Sequence, residues 1–361
     1  MEPEMSTCEW IFAVRNGGGI FPKIGQFLPE FPIRQSCKKP SDGVGISDIG
    51  SRSPNFAPSS FMSAAVIPDH LLNQISKASV LIEALPYLQR FRGEIFLIKF
   101  GGSAMDDPAL VEGLLRDIVF MELAGINPVI VHGGGKAITQ AMADAGLAAR
   151  FVGGLRVTDA AAIQIVETTL SGVINPQLVS TINAFGGRAV GFSGKSVFIG
   201  HKTAPVKGED GAPVDLGFVG EVHDFKIDEV LATIAQEKVP VISPVACEEG
   251  TGAALNVNAD LAAASLAGKL RASKFLYLSD VLGVMRDHRD PSSLIPSLNP
   301  AGVEQLVNER VITGGMIPKV RSALQALSAG VSKVHLIDGR IPHSLLLEIF
   351  TTQGIGTEIV P

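Results

Sequence analysis

The sequence predicts an α/β protein with a mainly parallel sheet covered by helices. Short apolar segments, each suited to a strand buried on both faces, alternate along the chain with segments whose apolar residues recur at helical spacing. Such alternation indicates parallel strands joined by crossover helices. Glycine-rich turns follow the first two apolar segments, which is typical of α/β sheets that bind phosphate groups at the ends of their strands.

The predicted elements follow one another from residue 68 onward. Candidate strands occupy Ile95–Phe100, 129–131, Ala189–Phe192, 239–243, 275–278 and 334–337. Candidate helices cover 68–92, 106–125, 138–147, 159–184, 226–236, 260–270, 302–308 and 319–329. Pro86 lies inside the first of these helices and predicts a kink or a break there. Residues 200–224 predict a polar hairpin inserted between two of the repeating units.

Composition bounds the class of protein. A chain of 361 residues can form one large α/β domain or two smaller ones, and its net charge of −6, without a basic tract, disfavours nucleic acid as the main partner. Three cysteines, far apart and without metal-ligand spacing, predict a reducing compartment, so we expect a cytoplasmic protein. No apolar run approaches the roughly 18 residues that a membrane span needs.

The first 65 residues differ from the rest of the chain. They contain a run of three glycines, scattered prolines and a Ser/Pro/Asn-rich stretch, without a sustained hydrophobic period, so we expect an extension with little ordered structure. Several acidic residues argue against an organellar targeting peptide. An alternative is that translation starts naturally at Met62.

Lys99 is the first candidate site residue. It stands at the carboxyl end of the strand Ile95–Phe100 and is followed by Gly101 and Gly102, whose backbone N–H groups could approach a phosphate. A second glycine-rich turn, from His132 to Lys136, follows the next strand and precedes a helix. Glycine turns of this kind often serve packing alone, but two in successive units favour phosphoryl chemistry.

Further candidates each have a plain structural alternative. Arg156, just before a helix, could clamp a substrate carboxylate or form a surface salt bridge. Asn256 begins a segment with three polar side chains at alternate positions, ending at Asp260, and one of these could simply cap a helix. Lys319 lies at a predicted helix start, where a lysine usually faces solvent. Gly194-Lys195-Ser196 invites a Walker A interpretation, but Ala189 stands where that motif needs glycine.

Taken together, these motifs resemble the amino acid kinase family. The resemblance runs from about residue 68 to residue 361, and its five blocks occur in the family's order: 99–102, 132–135, 154–159, 256–260 and 314–319. It implies a three-layer αβα open sandwich, with a lobe at 93–270 for an acyl amino acid and a lobe at 271–361 for ATP with Mg²⁺. The branch that it matches phosphorylates the side-chain carboxylate of N-acetyl-L-glutamate, in arginine biosynthesis.

The resemblance also implies roles for individual residues. Lys99 and Lys319 would be catalytic and flank the transferring phosphoryl group, and Asp260 would orient both lysines. The substrate would be bound by Gly134, Gly135, Arg156 and Asn256. The nucleotide would be bound by Gly101, Gly102, Asp280, Val281, Gly283, Ile312 and Thr313. No residue is predicted to be a dedicated protein ligand of a metal ion.

The C-terminal segment resembles that of the arginine-inhibited members of this branch. His335, Glu348 and Gly354 would then bind L-arginine as a feedback inhibitor, and the helix at 66–92 would link dimers into a hexameric ring. The alternative is that His335 and Glu348 are ordinary helix-surface residues. Two other functions remain open: an aspartokinase-like enzyme, and a catalytically silent regulatory protein bound by a PII signalling protein.

Overall fold

An eight-stranded sheet, parallel except for two short strands at one edge, forms the centre of the fold. The computed structural model describes residues 68–105, 107–208 and 210–361, so the predicted extension at residues 1–65 lies outside the described part. The strands are, in chain order, β1 Ile95–Phe100, β2 Asn127–His132, β3 Phe151–Val152, β4 Leu155–Arg156, β5 Ala189–Phe192, β6 Phe198–Lys202, β7 Val206–Lys207, β8 Pro213–Val214, β9 Val219–Phe225, β10 Val239–Ile242, β11 Val245–Glu248, β12 Ala254–Val257, β13 Lys274–Ser279, β14 Ser297–Leu298, β15 Lys333–Asp338 and β16 Thr357–Ile359. The sheet order is β14-β16-β15-β13-β1-β2-β10-β5, with β15 and β16 antiparallel.

Helices cover both faces of this sheet. They are α1 Asp69–Phe91, α2 Pro108–Leu123, α3 Gly135–Asp144, α4 Ala160–Glu167, α5 Asn175–Ala184, α6 Asp228–Ala235, α7 Ala259–Lys269, α8 Pro300–Asn308, α9 Met316–Ser328 and α10 Ser344–Ile349. Successive residues of β1 point to opposite faces: Leu97 belongs to the core that includes α7 and α9, whereas Phe96 and Ile98 belong to the core that includes α2 and α5. The predicted α/β sandwich with three layers is therefore confirmed.

Two predictions about helices need correction or refinement. The break expected at Pro86 is wrong, because α1 continues through it as one helix. Pro86 and Ile82 are both exposed, so water can bond the carbonyl that the proline leaves without its N–H partner. The helix predicted at 159–184 is present, but its middle, Thr168–Ile174, is a π-helix between α4 and α5.

The segment between β5 and α7 is more elaborate than the predicted polar hairpin. A small hairpin of β7 and β8 is present, but β6 and β9 pair with each other and close a four-stranded barrel with β11 and β12. The sequence did not predict β11 and β12, because each has only four residues and, besides pairing with each other, each pairs with a strand distant in sequence, β6 or β9. Among the described residues, no helix has the length and apolar character needed to cross a membrane.

Candidate active site

The predicted site residues lie at one edge of the central sheet. β1 is hydrogen-bonded to β2 on one side and to β13 on the other, and all three strands are parallel, so their carboxyl ends meet. Lys99 stands in register with Val131 and Tyr277, immediately before the glycine turns. Ligands of open α/β sheets bind outside these carboxyl ends, where neighbouring loops enclose a crevice.

The two glycine turns are packed directly against each other. The Gly133 N–H donates to the Phe100 carbonyl at 2.6 Å, and a Cβ placed on Gly101 would lie 3.2 Å from the Gly133 Cα. A Cβ on Gly134 would come within 2.6 Å of side-chain carbons of Leu170 and Ile174, both in the π-helix. Larger residues would therefore push the turns apart or displace the π-helix.

His132 contacts the backbone of the second glycine turn. Its ring is fully buried, with Nδ1 2.8 Å from the Gly133 carbonyl and Nε2 3.3 Å from the side-chain amide nitrogen of Asn175. Burial lowers the pKa of His132 to about 4, so the ring is neutral at pH 7. The neutral tautomer that fits these contacts donates from Nδ1 to Gly133 and accepts from Asn175 at Nε2.

Lys99 forms an ion pair with Asp260. The Lys99 Nζ lies 2.9 Å from Asp260 Oδ1, and Lys99 is only 8% exposed. Asp260 occupies the first turn of α7, where Asn258 caps the helix by accepting from the backbone N–H groups of Asp260 and Leu261. Capping was the structural alternative for this polar segment, and it holds for Asn258, while Asp260 faces the lysine.

Lys319 lies in the first turn of α9 and contacts a different carboxylate. Its Nζ donates to the Ser279 hydroxyl at 2.9 Å and lies 3.6 Å from Asp280 Oδ1. Burial alone would raise the pKa of Asp280, but its backbone hydrogen bond, the Lys319 charge and Ser279 together lower it. In the described part of the chain, Asp260 pairs with Lys99, whereas Lys319 contacts Ser279 and Asp280; the role of Asp260 toward both lysines stays a prediction.

Arg156 is buried at the end of β4 with neutral partners. One terminal nitrogen donates to the Gly135 carbonyl at 3.0 Å and to the Thr139 hydroxyl at 2.8 Å, while the other lies 3.4 Å from the Met142 sulfur. Burial lowers the pKa of Arg156, but a guanidinium stays charged at pH 7. A surface salt bridge is therefore not its role, and a buried cation with neutral neighbours suits an anionic ligand.

Asn256 lies on β12 and is connected with Arg156 through Thr158. Its side-chain amide donates to the Thr158 hydroxyl at 3.1 Å, and this hydroxyl donates to the Arg156 carbonyl at 2.8 Å. Thr158 therefore fixes the orientation of Asn256 and connects it with the strand that carries Arg156.

Most of the predicted catalytic, substrate-binding and nucleotide-binding residues line two cavities. A cavity of about 310 Å³ is lined by Lys99, Gly102, Gly134, Gly135, Arg156, Asn256 and Asp260. A second cavity, of about 470 Å³, is lined by Asp280, Val281, Gly283, Ile312, Thr313 and Lys319. A larger cavity of about 870 Å³ shares Gly102 with the first and Asp280 with the second. Gly101 does not line these cavities, because it is buried where the glycine turns meet.

A fourth cavity contains the predicted regulatory residues. It measures about 360 Å³, and His335, Glu348 and Gly354 line it together with Lys274. The Nδ1 of His335 lies 2.6 Å from Glu348 Oε1, and Glu348 Oε2 accepts the backbone N–H groups of Ile355 and Gly356. His335 and Glu348 are both buried, so the alternative of ordinary helix-surface residues is wrong.

Several residues near these cavities were not predicted as site residues. Ser279, Thr139 and Thr158 orient Lys319, Arg156 and Asn256, respectively. Their hydroxyls carry no sequence signal of their own, because the side chains that they orient are distant in sequence or on another element. Lys195, in the discounted Walker-like segment, instead lies 3.4 Å from the Glu167 carboxylate, and its neighbour Gly194 is packed against backbone carbonyls.

Known proteins resemble this chain over most of its length. The model of the family described as the amino acid kinase family matches residues 94–338. An acetylglutamate kinase of Akkermansia muciniphila is 56% identical over 286 residues, covering 79% of this chain and 96% of the relative. An acetylglutamate kinase of Heliobacterium modesticaldum is 46% identical over 295 residues, covering 80% of this chain and 100% of the relative.

A solved structure shares the fold at lower sequence similarity. N-acetylglutamate synthase from Neisseria gonorrhoeae, complexed with coenzyme A and N-acetylglutamate, superposes with a TM-score of 0.67 at 24% identity. The match covers 79% of this chain and 63% of the synthase, so the chain spans less than two thirds of that protein.

Proposed function

Because the chain belongs to the amino acid kinase family, we propose that it transfers the γ-phosphoryl group of ATP to the side-chain carboxylate of N-acetyl-L-glutamate. The observation that carries the substrate assignment is Arg156, a buried cation whose partners in the described part of the chain are neutral. N-acetyl-L-glutamate has two carboxylates, one at Cα and one on the side chain, and acetylation removes its ammonium group. Its α-carboxylate suits the guanidinium of Arg156, and its acetylamino end suits Asn256.

The chemistry needs charge stabilisation and positioning more than proton transfer. The acceptor carboxylate, with a usual pKa of about 4.3, is already ionised at neutral pH and needs no general base. Its oxygen forms a bond to the γ-phosphorus, while the bond to the β,γ-bridging oxygen breaks and ADP leaves with that electron pair. Lys99 lines the first cavity, proposed for the acceptor, and Lys319 lines the second, proposed for the nucleotide. Their charges can therefore neutralise the equatorial oxygens of the transferred group and the leaving diphosphate.

The second cavity suits a nucleotide. Val281, Ile312 and the exposed Thr313 offer an apolar surface and a polar group for the adenosine part, and Lys319 stands at the phosphate end. Mg²⁺ would arrive with the nucleotide, which supplies most of its oxygen ligands, and it would neutralise phosphate charge when bound. Asp280 is the carboxylate in this cavity that could reach such a complex.

Coupled ADP release tests this function. Wild-type protein is supplied with ATP, Mg²⁺ and either N-acetyl-L-glutamate, L-glutamate or L-aspartate. Turnover with the acetylated substrate alone is expected, because the ammonium groups of free amino acids are a poor match for a cavity that contains Arg156 and Lys99. Turnover with L-aspartate alone would instead favour the aspartokinase-like alternative, and silence with all three would contradict the proposal.

We further propose that the fourth cavity, lined by His335, Glu348 and Gly354, binds L-arginine as a feedback inhibitor. Glu348 and the backbone near Gly354 provide acceptors for a guanidinium, and Lys274 provides a counter-charge for an α-carboxylate. Glu348→Gln should raise the arginine concentration for half-inhibition more than tenfold, because it removes the negative charge opposite the ligand cation. The exposed Glu304→Gln is the matched control. Equal inhibition of both variants would exclude Glu348 from arginine binding.

Helix α1 supports an oligomer held together by helix pairing. Apolar residues along most of its length are exposed, whereas its C-terminal end packs through Phe91 on Phe96 and through Tyr87 on Phe350. The exposed apolar residues are Leu71, Leu72, Ile75, Val80, Leu81, Ile82 and Leu85. Such a surface is typical of a protein interface, and we propose that it joins dimers into a hexamer.

Sedimentation tests the oligomer. The double variant Ile75→Glu and Ile82→Glu should yield dimers, because it buries charge in the proposed interface while leaving the anchored end of α1 intact. Lys77→Glu, an exposed position of the same helix, is the control. Hexamers in the double variant would refute this interface. Binding of a PII signalling protein stays a prediction from sequence alone.

A further inference from the structure

A buried pair of hydroxyl groups contacts the main chain of two candidate catalytic residues, Asp260 and Lys319. Tyr277, on β13, is 1% exposed, and Ser322, on α9, is completely buried. Their side-chain oxygens are hydrogen-bonded to each other. The Tyr277 ring also packs against Phe275, with ring centroids 4.3 Å apart. The hydroxyl pair therefore lies in an apolar core and outside the cavities described above.

Each hydroxyl also reaches the main chain of a candidate catalytic residue. The Tyr277 hydroxyl lies 3.2 Å from the backbone carbonyl oxygen of Asp260, in the first turn of α7. The Ser322 hydroxyl lies 2.9 Å from the backbone carbonyl oxygen of Lys319, in the first turn of α9. The pair thus connects the helix that carries the partner of Lys99 with the helix that carries Lys319.

The hydrogen count makes the three contacts interdependent. Two hydroxyl hydrogens serve three contacts, so the chain is directed either from Tyr277 through Ser322 to Lys319, or from Ser322 through Tyr277 to Asp260. Burial raises the pKa of Tyr277 well above its usual value, so the phenol keeps its hydrogen at neutral pH. The direction from Ser322 through Tyr277 to Asp260 joins α9 with α7, and the direction from Tyr277 through Ser322 to Lys319 joins β13 with α9. Removing either hydroxyl breaks the Tyr277–Ser322 bond in both cases.

Buried polar groups cost free energy unless they are hydrogen-bonded, and a satisfied network holds its elements in one arrangement. We propose that Tyr277 and Ser322 are positioning residues for phosphoryl transfer: they fix the first turns of α7 and α9 relative to β13 and so set the spacing between the Lys99–Asp260 pair and Lys319. This inference rests on the proposed kinase function. Small misplacements of catalytic groups are costly, since an error of about 1 Å can lower a rate by about 100-fold.

The test uses two conservative variants and one matched control. Tyr277→Phe and Ser322→Ala each remove one hydroxyl and keep the packing. Ser328→Ala removes a serine hydroxyl from the same helix, which likewise bonds the carbonyl three residues earlier, Gln325, but is exposed. Steady-state kinetics with ATP and N-acetyl-L-glutamate are measured well below the unfolding temperature of each variant.

We expect kcat to fall about tenfold in Tyr277→Phe and in Ser322→Ala, while the KM of each substrate stays within about twofold, since positioning acts on the transition state. The double variant should lose no more than either single variant, because the hydroxyls act as one unit. Ser328→Ala should keep the wild-type kcat.

Two results would overturn the inference with the kinase function intact: wild-type kcat in both single variants despite a lowered unfolding temperature, which indicates a structural role only, or losses that multiply in the double variant. A wild-type protein without turnover on N-acetyl-L-glutamate would contradict the proposed function itself, and the inference with it.

Discussion

Arg156→Met gives the sharpest test of the substrate site. The substitution keeps the length and apolar stem of the side chain but removes the guanidinium, whose terminal nitrogens now contact Gly135, Thr139 and Met142. A charge-assisted hydrogen bond contributes about 1.5–3 kcal/mol, and each 1.4 kcal/mol is about tenfold in affinity, so the KM for N-acetyl-L-glutamate should rise about 10- to 150-fold. The kcat should change much less, because the α-carboxylate is bound equally in the ground state and the transition state.

The same substitution has an expected effect on stability. Without substrate, Arg156 is a buried charge with neutral hydrogen-bond partners in the described chain, so its replacement by an apolar side chain should leave the unfolding temperature unchanged or raise it. With saturating N-acetyl-L-glutamate, the wild-type protein should gain stability that the variant does not. Thermal unfolding with and without substrate measures both effects.

Two further variants sharpen this prediction. Arg156→Lys keeps the charge but loses the planar fork of donors, so its KM should lie between those of the wild type and Arg156→Met. Arg116→Met, on the exposed side of α2, removes a guanidinium that stacks on Phe185 at 3.9 Å and should leave the KM unchanged. An unchanged KM for N-acetyl-L-glutamate in Arg156→Met, or a rise confined to ATP, would refute the assignment.

Three other predictions follow from the site. Lys319→Met should lower kcat by at least about 100-fold, because it removes a charge that stabilises the leaving diphosphate; near-normal turnover would contradict its catalytic role. Gly134→Ala should raise the KM for N-acetyl-L-glutamate and lower stability, because its Cβ would lie 2.6 Å from Ile174 Cδ1, whereas Gly113→Ala, with open space at its Cβ, is the control for urea unfolding. His132 has a folded-state pKa of about 4, below the 6.5 of an unfolded histidine, so its protonation favours unfolding. Its stability contribution of up to about 3 kcal/mol should be fully present above pH 6.5 and lost as the pH falls toward 4; urea unfolding of His132→Gln should lack this pH-dependent part.

The sequence alone determined six of the eight strands of the central sheet, all but β14 and β16, and most of its helices. The strand Ile95–Phe100 is apolar except for Lys99, a composition that suits a sheet covered on both faces, so local pattern and tertiary position coincide. Lys99, Arg156 and Lys319 became candidates because each is a charged residue beside glycines or near a predicted helix start, but their proposed roles came from the family resemblance. The barrel strands β11 and β12 lack such a signal, because they are short and the second partner of each, β6 or β9, lies far away in the chain.

The tertiary structure decided which carboxylate forms an ion pair with each lysine. The family resemblance implied that Asp260 orients both lysines, whereas in the structure Asp260 pairs with Lys99 and Lys319 contacts Ser279 and Asp280, because β13 ends beside the start of α9. The Tyr277–Ser322 pair likewise exists only because a strand residue and a helix residue, 45 positions apart, meet in the core. Hydrophobic period specifies which residues are buried, but a hydrogen bond between distant elements depends on distances of a few tenths of an ångström, and these are set only when strands and helices pack together.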